Sequence, residues 1–162
     1  MNSGPVADRR PTSPRRKPRA ETAQSFASTP AVRRRMQLQR TRDTAPELAL
    51  RRILHARGLR YRVDRAPIPE SRRRADIVFT RLRVAVYVDG CFWHGCPQHG
   101  TRSKSNTAWW DKKLLRNRTK DAETDRTLAD AGWLVVRIWE HEDPRNAADK
   151  VCGIIRSRTG IT

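Results

Sequence analysis

Hydrophobic residues after position 43 fall into alternating helical and strand patterns. A first helix is predicted from about residue 43 to Gly58, with four apolar residues at helical spacing: Leu48, Leu50, Ile53 and Leu54. Over residues 59–63, apolar residues alternate with arginine, which predicts a strand with one face exposed to solvent. Ala75–Phe79 and residues 82–88 are short apolar runs that predict two further strands. The second run is apolar enough to be the central strand of a sheet.

The second half of the chain is predicted to add two helices and one strand. Residues 90–101 are rich in Gly, Cys and His and have neither a helical nor a strand pattern. A long, charge-rich helix follows, which Gly132 ends, and residues 133–139 form a buried strand whose two tryptophans pack in the core. A short helix over residues 144–157, with Cys152 as a small core residue, closes the domain. The order α-β-β-β-α-β-α predicts an α/β fold, a mixed sheet flanked by helices.

The first 42 residues differ from the rest in composition. They carry eleven Lys or Arg against two acidic residues, together with five of the ten prolines. Such a segment buries too little apolar surface to offset the entropy lost on ordering, so residues 1–30 are predicted to be a disordered basic tail. Residues 31–42 are predicted to be a basic arm that orders on DNA, the alternative being a tail that only aids solubility. Residues 43–162 are predicted to form the folded domain.

The charge narrows the class of partner. The 162 residues include 35 Lys and Arg against 17 Asp and Glu, a net charge of +18. This excess favours a polyanion, and nucleic acid is a better candidate than an acidic membrane because no basic amphipathic anchor is visible. No apolar stretch is long enough for a membrane span, and no secretory signal is visible. Three cysteines favour a reducing cytoplasm.

Two cysteines and two histidines form a candidate zinc site. Cys91 and Cys96 are close in sequence, His99 lies just beyond them, and His141 follows the last predicted strand. Two thiolates and two imidazoles suffice for one tetrahedral Zn²⁺. His94 is an alternative ligand, because Cys91 and His94 also have the spacing of a ligand pair. Free cysteines and surface histidines are the remaining alternative.

Acidic residues at strand ends indicate a second metal site. Asp76 lies at the start of one apolar strand, where a carboxylate is costly unless it faces solvent or binds something. Asp89 ends the next strand, so if the two strands are neighbours both carboxylates reach one end of the sheet. Together with Glu47 on the first helix, they would form a Mg²⁺ site. His94 would supply an imidazole suited to taking a proton from water.

Several motifs resemble, in order and spacing, those of the very short patch repair (Vsr) endonuclease family. They lie within about residues 33–143, and the string Gly-Cys-Phe-Trp-His is the most specific of them. The motifs are Arg42-Asp43-Thr44-Ala45-Pro46-Glu47, Asp76-Ile77-Val78-Phe79, Val88-Asp89-Gly90-Cys91-Phe92-Trp93-His94, Trp109-Trp110 with Lys113 and Asn117, and Val136-Arg137-Ile138-Trp139-Glu140-His141.

The resemblance implies a restriction-endonuclease-like fold with a structural zinc site and an enzyme that nicks one DNA strand. The nick would lie 5′ to the T of a T:G mismatch left by deamination of 5-methylcytosine. The family's metal-binding aspartate falls on Asp76, and the residue that lends the metal a backbone carbonyl falls on Val88. Its general-base histidine falls on His94, its supporting glutamate on Glu47 and a zinc cysteine on Cys91, which frees His94 for chemistry. Mg²⁺ and Zn²⁺ are therefore the expected cofactors.

Two departures from the family pattern affect the expected sites. Cys96 stands where the family has a zinc histidine, His99 lies one residue beyond a zinc cysteine, and His141 replaces another zinc cysteine. The set still totals two cysteines and two histidines. Asp89 stands where the family often has a second active-site histidine, and we expect its carboxylate to strengthen Mg²⁺ binding.

Aromatic residues carry the expected recognition of the mismatch. In the family, the aromatic residues at the positions of Phe92, Trp93 and Trp110 wedge between base pairs beside the mismatch. A weak T:G pair makes such unstacking cheaper, so the cost of the kink itself discriminates. Trp109, at the start of the long helix, is a further candidate for DNA contact.

Other residues extend the expected contacts with DNA. Lys113 and Asn117 are one helical turn apart and are expected to face the same base edges. Met36 falls on a family residue of the N-terminal arm that approaches the mismatch. The expected partner is double-stranded DNA with a T:G mismatch, and other mismatch-repair proteins are further candidates. We expect a monomer, because a nick needs one active site, located in the bacterial cytoplasm at the nucleoid.

Three alternatives remain open on sequence alone. The first is a nicking endonuclease of the same fold that responds to a different mismatch or to a modified base. The second is a catalytically silent, zinc-stabilised module that binds DNA, although Asp76 and His94 argue against it because binding alone needs neither. The third is an RNA-binding protein that uses the arginine-rich tail.

Overall fold

The fold is known from a computed structural model that describes residue 34 and residues 42–71, 73–100 and 107–160. The predictions for the basic tail and for Met36 fall outside these residues. Of the basic arm, only Arg34 and Arg42 are among them.

The described chain folds into a four-stranded mixed sheet flanked by helices. The helices are α1 (Ala45–Ala56), α2 (Cys91–His94), α3 (Thr107–Asp130) and α4 (Pro144–Thr159), and the strands are β1 (Arg62–Arg65), β2 (Ala75–Phe79), β3 (Val84–Asp89) and β4 (Leu134–Trp139). A 3-10 turn, Thr80–Leu82, joins β2 to β3. The predicted fold class is confirmed, and β2 has the predicted bounds.

Three local predictions differ from the structure. Residues 90–101 contain the short helix α2, which four residues are too few to reveal as a periodic pattern. The first strand begins at Arg62 rather than at residue 59, because the amide of Leu59 still bonds to the carbonyl of Leu54 and completes the end of α1. Leu82 belongs to the 3-10 turn and not to β3.

The sheet has the strand order β1-β2-β3-β4. β2 runs antiparallel to both β1 and β3, whereas β3 and β4 are parallel. A parallel pair needs a long crossover, which here passes through α2 and α3. β3 lies in the interior of the sheet, as its apolar run predicted.

Helices cover both faces of the sheet. One face packs against α1 and α4 through a core that includes Leu50, Leu54, Ile77, Val86 and Val151. The other face packs against α3 through Ala75, Val78, Ala85, Tyr87 and Leu128. Cys152 is buried in the first of these cores, as predicted.

Strand alternation brings charged residues to the α3 side at one end of the sheet. Side chains two positions apart share a face of a strand. Asp76 therefore lies on the face of Val78, and Asp89 on the face of Tyr87, which is the face that α3 covers. Arg137 is the register partner of Tyr87 on β4 and completes this charged group.

Asp143 caps α4, accepting from the backbone amides of Arg145 at 2.9 Å and Asn146 at 3.1 Å, with Pro144 in the first turn. Among the described helices, none combines the length and apolar character that crossing a membrane requires.

Candidate active site and metal centre

A cavity of about 230 Å³ opens where β2 begins and β3 ends. Five of its lining residues are those expected at the cleavage site, namely Glu47, Asp76, Val88, Asp89 and His94. They come from α1, β2, β3 and α2, so the fold brings together residues that are up to 47 positions apart in the sequence. The prediction that the carboxylates of Asp76 and Asp89 would meet at one end of the sheet agrees with this geometry.

The Asp76 carboxylate is largely withdrawn from solvent. Its Oδ2 accepts a hydrogen bond of 2.7 Å from the backbone amide of Val88, which places the backbone of Val88 directly beside it. Burial, with smaller contributions from the charges of Glu47 and Asp89, raises the pKa of Asp76 from 3.8 to about 6 against the opposing effect of this hydrogen bond. A carboxylate held in this way is short of positive charge, which a divalent cation would supply.

Glu47 has a structural task besides its place in the cavity wall. Its Oε2 accepts from the backbone amide of Asp43 at 3.0 Å, and its Oε1 accepts from the Thr44 hydroxyl at 2.8 Å. The Nη2 of Arg51 lies 3.2 Å from Oε2. The predicted start of α1 is therefore stabilised by a glutamate that reaches back over the helix end, as in a capping box.

His94 is paired with a carboxylate that sequence reasoning missed. Its Nδ1 lies 2.6 Å from Oδ2 of Asp121, a residue of α3 that also lines the cavity. An ionised carboxylate only accepts hydrogen bonds, so Nδ1 carries the proton and Nε2 of the neutral ring keeps its lone pair. Asp121 lies one helical turn after Asn117, but nothing in the sequence separates it from the other charged residues of α3.

The end of α2 fixes the backbone that carries His94. Gly95 ends the helix with φ of 63°, a left-handed conformation that glycine adopts at low cost. Nη2 of Arg118 donates to the Gly95 carbonyl at 2.6 Å, and the same guanidinium occupies the space that a Cβ at Gly95 would need. Glycine is therefore favoured next to His94, since any other residue would meet the strained backbone conformation and would also displace the end of the Arg118 side chain.

The carboxylate of Asp89 forms an ion pair with Arg137, a second cavity residue that is not among the expected site residues. Nη1 of Arg137 lies 2.9 Å from each carboxylate oxygen of Asp89. Burial lowers the pKa of Arg137, but hydrogen bonds and charge from Asp125 and Asp89 outweigh it and raise the pKa above its ordinary value. An arginine inside an otherwise apolar strand was the available signal, since a buried charge must be paired. The direct metal contact expected of Asp89 stays a prediction.

The four residues predicted to bind zinc form one cluster. The donor atoms of Cys91, Cys96, His99 and His141 all lie within 4.8 Å of one another. The Nδ1 of His141 is 3.0 Å from the Cys91 thiol and 3.7 Å from the Cys96 thiol. Ligands of tetrahedral zinc, at bond lengths of ~2.0–2.3 Å, are separated by about 3.3–3.8 Å. The donor set and its spacing therefore fit a Zn²⁺ ion.

The cluster ties the loop after β3 to the end of β4. Cys91 begins α2, Cys96 follows it, and His141 comes two residues after the last strand. Burial and the neighbouring Cys96 thiol raise the pKa of Cys91 to about 11, so the Cys91 thiol would have to give up its proton when a cation binds. His94 lies outside the cluster, which separates it from the ligand alternative left open by the sequence.

Four aromatic rings form a cluster between α2 and the start of α3. Ring centroids are 5.2 Å apart for Phe92 and Trp93, 4.9 Å for Phe92 and Trp110, and 4.8 Å for Trp109 and Trp110. Trp109 is half exposed, and the ammonium of Lys113 lies 5.6 Å from its ring centre. The other three rings are partly buried, so Trp109 is the most exposed member of the cluster.

The side-chain amide of Asn117, expected to face DNA base edges, is bonded within the protein. Its Nδ2 donates at 2.8 Å to the backbone carbonyl of Trp93. Lys113, one turn earlier, is exposed. The two side chains therefore face the aromatic cluster from α3, and Asn117 fixes the backbone of a ring that was expected to contact DNA.

Comparison with known proteins identifies the family. Residues 27–99 match the family described as DNA mismatch endonuclease Vsr. The chain is 44% identical over 120 residues to the type II nicking enzyme V.NaeI of Lentzea aerocolonigenes, across 73% of this chain and 72% of that relative. The chain belongs to the Vsr endonuclease family. The resemblance expected from the sequence is thereby confirmed, and so is the assignment as a DNA endonuclease.

Two further Vsr relatives show how broad the similarity is. The type II nicking enzyme V.NmeDIP of Neisseria meningitidis serogroup C is 36% identical over 140 residues, which cover 83% of this chain and 93% of that protein. The DNA mismatch endonuclease Vsr of Escherichia coli strain K12 is 35% identical over 103 residues, which cover 62% of this chain and 63% of that protein. As a Vsr-family protein, the chain is a DNA nicking endonuclease.

Proposed function

We propose that this Vsr-family endonuclease nicks one strand of duplex DNA 5′ to the T of a T:G mismatch. Its role would be to start very short patch repair where 5-methylcytosine has been deaminated. The observation that carries the proposal is the single cavity in which Asp76, the Val88 backbone and His94 meet. Support for the mismatch comes from the family, whose description includes mismatch cleavage.

A Mg²⁺ ion would be held by the Asp76 carboxylate and the Val88 carbonyl, with Glu47 and Asp89 close by. Both oxygens suit a hard cation, and burial together with the nearby charges of Glu47 and Asp89 raises the pKa of Asp76, a penalty on the ionised form that a bound cation would offset. The bound cation would stabilise the negative charge that develops on the scissile phosphate and on the leaving oxygen.

His94 is proposed to act as the general base. Its Nε2 takes a proton from the water that attacks phosphorus, and the bond from phosphorus to the leaving sugar oxygen breaks. Asp121 keeps the proton on Nδ1 and stabilises the imidazolium that forms. Glu47 supports the site by holding the start of α1 against the cavity.

The zinc site is proposed to be structural only. Cys91, Cys96, His99 and His141 would occupy all four positions of a tetrahedral ion and leave none for substrate. Because His94 lies between Cys91 and Cys96 in sequence, fixing this loop to the end of β4 also fixes the base. Zinc would thus affect the reaction only by holding His94 in position.

The aromatic cluster is proposed to open the duplex beside the mismatch. Phe92, Trp93 and Trp110 pack edge to face or tilted against one another, and Trp109 exposes half of its surface. Such a wedge unstacks a weak T:G pair at lower cost than a Watson–Crick pair. Lys113 would reach the DNA from α3, and the +18 net charge supplies attraction to phosphates without sequence preference. We propose that one chain suffices for a nick.

One observation favours a second candidate trigger. Two of the relatives described above are named as type II nicking enzymes, and their names mention no mismatch. A different mispair or a modified base in a particular sequence context is therefore the alternative, with the same cavity and the same chemistry.

Two variants of nearly the same size as the natural residue test the chemistry. Asp76→Asn keeps an acceptor for the Val88 amide, and His94→Gln keeps a polar side chain on α2. We expect both variants to bind T:G duplex as tightly as the natural protein while losing nicking by ~10²-fold or more. Retained nicking in either variant would remove that residue from the proposed role.

A further inference from the structure

Arg137 holds a group of carboxylates on the α3 face of the sheet. Besides both oxygens of Asp89, it contacts Asp125, with Nε 3.0 Å from Oδ2 and Nη2 2.9 Å from Oδ1. Its Nη2 also lies 3.6 Å from Oδ1 of Asp121 and 3.4 Å from the backbone carbonyl of that residue. All three nitrogens of the guanidinium are thus engaged within the protein.

This arrangement leaves Arg137 poorly suited to hold a DNA phosphate. A phosphate clamp presents a free edge of the guanidinium to the ligand. Here one edge faces Asp89 and the other faces Asp125, while the guanidinium carbon lies 5.0 Å from the ring centre of Tyr87. All three guanidinium nitrogens already have carboxylate partners, so the influence of Arg137 passes through the residues that it holds.

The carboxylates that Arg137 holds are the ones next to the base. Nδ1 of His94 bonds to Asp121 at 2.6 Å, and Oδ1 of Asp89 lies 3.8 Å from the same nitrogen, so a second carboxylate is close to the ring without bonding to it. Arg137 binds both oxygens of Asp89 and thereby makes it a weaker acceptor for His94. Asp121 keeps Oδ2 free for the imidazole and has only its other oxygen near the guanidinium.

Loss of Arg137 would leave this group without its central cation. Asp89 is 5% exposed, and a buried carboxylate that loses its hydrogen-bonded cation is destabilised where it stands, so its side chain would move. Because Asp89 lies beside Nδ1 of His94, this movement would change the packing around the imidazole and with it the orientation of the ring.

We propose that Arg137 is a positioning residue for the nicking reaction, which holds Asp89 and Asp121 so that the ring of His94 keeps one orientation. Asp89 then acts as the partner of Arg137. The proposal rests on the role proposed above for His94, since a fixed imidazole matters to cleavage only if that imidazole takes part in it.

The test uses three single variants, Arg137→Gln, Arg137→Lys and Asp89→Asn. A double variant carries both Asp89→Asn and Arg137→Gln. Arg158→Gln is the control, because it removes the same charge from an exposed position in the last turn of α4. Single-turnover nicking rates and duplex dissociation constants are measured for every variant that melts as a folded protein.

The proposal predicts a slower chemical step with unchanged binding. Arg137→Gln should nick ~10–100-fold more slowly than Arg158→Gln, the cost expected for a displaced catalytic group, with a dissociation constant within about twofold of that control. Arg137→Lys should recover part of the rate. The double variant should be no slower than the slower single variant, because both changes break one contact. Equal rates for Arg137→Gln and the control, or fully additive losses, would overturn the proposal.

A spectroscopic readout separates this proposal from the proposed function. The Nδ1 proton of His94 gives an imidazole NMR signal that is identified by its loss in His94→Gln. This signal should be unchanged in Arg158→Gln and displaced or lost in Arg137→Gln. If Arg137→Gln does not fold, Arg137→Lys takes its place, and its signal should likewise be displaced or lost. An unchanged signal refutes the positioning role even if the natural protein nicks no duplex offered, whereas a shifted signal in that case supports the positioning and refutes only the proposed substrate.

Discussion

Replacing Asp76 with asparagine should make the metal-free protein more stable at neutral pH while abolishing nicking. Burial raises the pKa of Asp76 from 3.8 to about 6, so the folded protein carries an ionised carboxylate in a place that disfavours it. Asparagine keeps the acceptor for the amide of Val88 and removes the charge. The cation that the site is proposed to hold would remove the same penalty in the natural protein.

The magnitude follows from the size of the pKa shift. Between pH 4 and pH 6 the folded state binds more protons at Asp76 than the unfolded state, so stability falls as pH rises through this window. A shift of about 2 units corresponds to ~3 kcal/mol, a penalty that is complete above pH 6 and falls to ~1 kcal/mol at pH 4.5. Asp76→Asn should therefore exceed the natural protein by ~2–3 kcal/mol in free energy of unfolding at pH 7.5, and by ~1 kcal/mol or less at pH 4.5.

Urea unfolding, followed by tryptophan fluorescence in zinc-loaded, magnesium-free protein, measures both values. Any loss of zinc at low pH affects both proteins equally and cancels in the difference. Asp130→Asn, an exposed change at the end of α3, is the control and should shift stability by no more than ~0.5 kcal/mol. Added Mg²⁺ should stabilise the natural protein and not Asp76→Asn. If Asp76→Asn were less stable at pH 7.5, or if the difference did not vary with pH, then burial of the ionised Asp76 carboxylate would not destabilise the metal-free protein.

Three further predictions address zinc, the tail and the wedge. Cys96→Ser should lose zinc, measured by metal analysis, and melt at a lower temperature, because binding of a structural zinc contributes folding free energy. Cys152→Ser, outside the cluster, should keep its zinc, and full zinc content in Cys96→Ser would reject the ligand set. Removing residues 1–30 should weaken binding to matched and mismatched duplex equally, so that a changed preference would show that the tail takes part in recognition. Trp110→Ala should weaken binding to T:G duplex by ~10–100-fold and to matched duplex by much less, and equal losses in a competition assay would contradict a wedge.

The longer helices and the strands were predictable, apart from some of their limits, because their patterns are local. The apolar run from Ala75 to Phe79 contains its own limits, and Glu47 marks the start of α1 because its carboxylate serves the helix end. Strands that follow one another in sequence often pair, and on that condition the sequence indicates that Asp76 and Asp89 meet; β2 and β3 do pair.

The ion network of the site was not predictable, because its contacts are distant in sequence. Arg137 and Asp89 are 48 positions apart, and His94 and Asp121 are 27 apart, so no spacing rule joins them. The zinc cluster differs in this respect, since cysteine and histidine are rare enough in this chain for four of them to attract attention. Charged residues are about a third of the sequence, and that abundance hides the few that lie in the cavity.

A strand-resolved nicking assay with Mg²⁺ tests the central claim most directly. Duplexes that differ at one pair, either T:G or C:G, are labelled separately on each strand and placed in several sequence contexts. The proposed function predicts a nick in the T strand alone, 5′ to the T, only in the T:G duplex, and none with Asp76→Asn. Equal cleavage of T:G and C:G duplexes, or no cleavage of any T:G context by folded, zinc-loaded protein that binds the DNA, would contradict it.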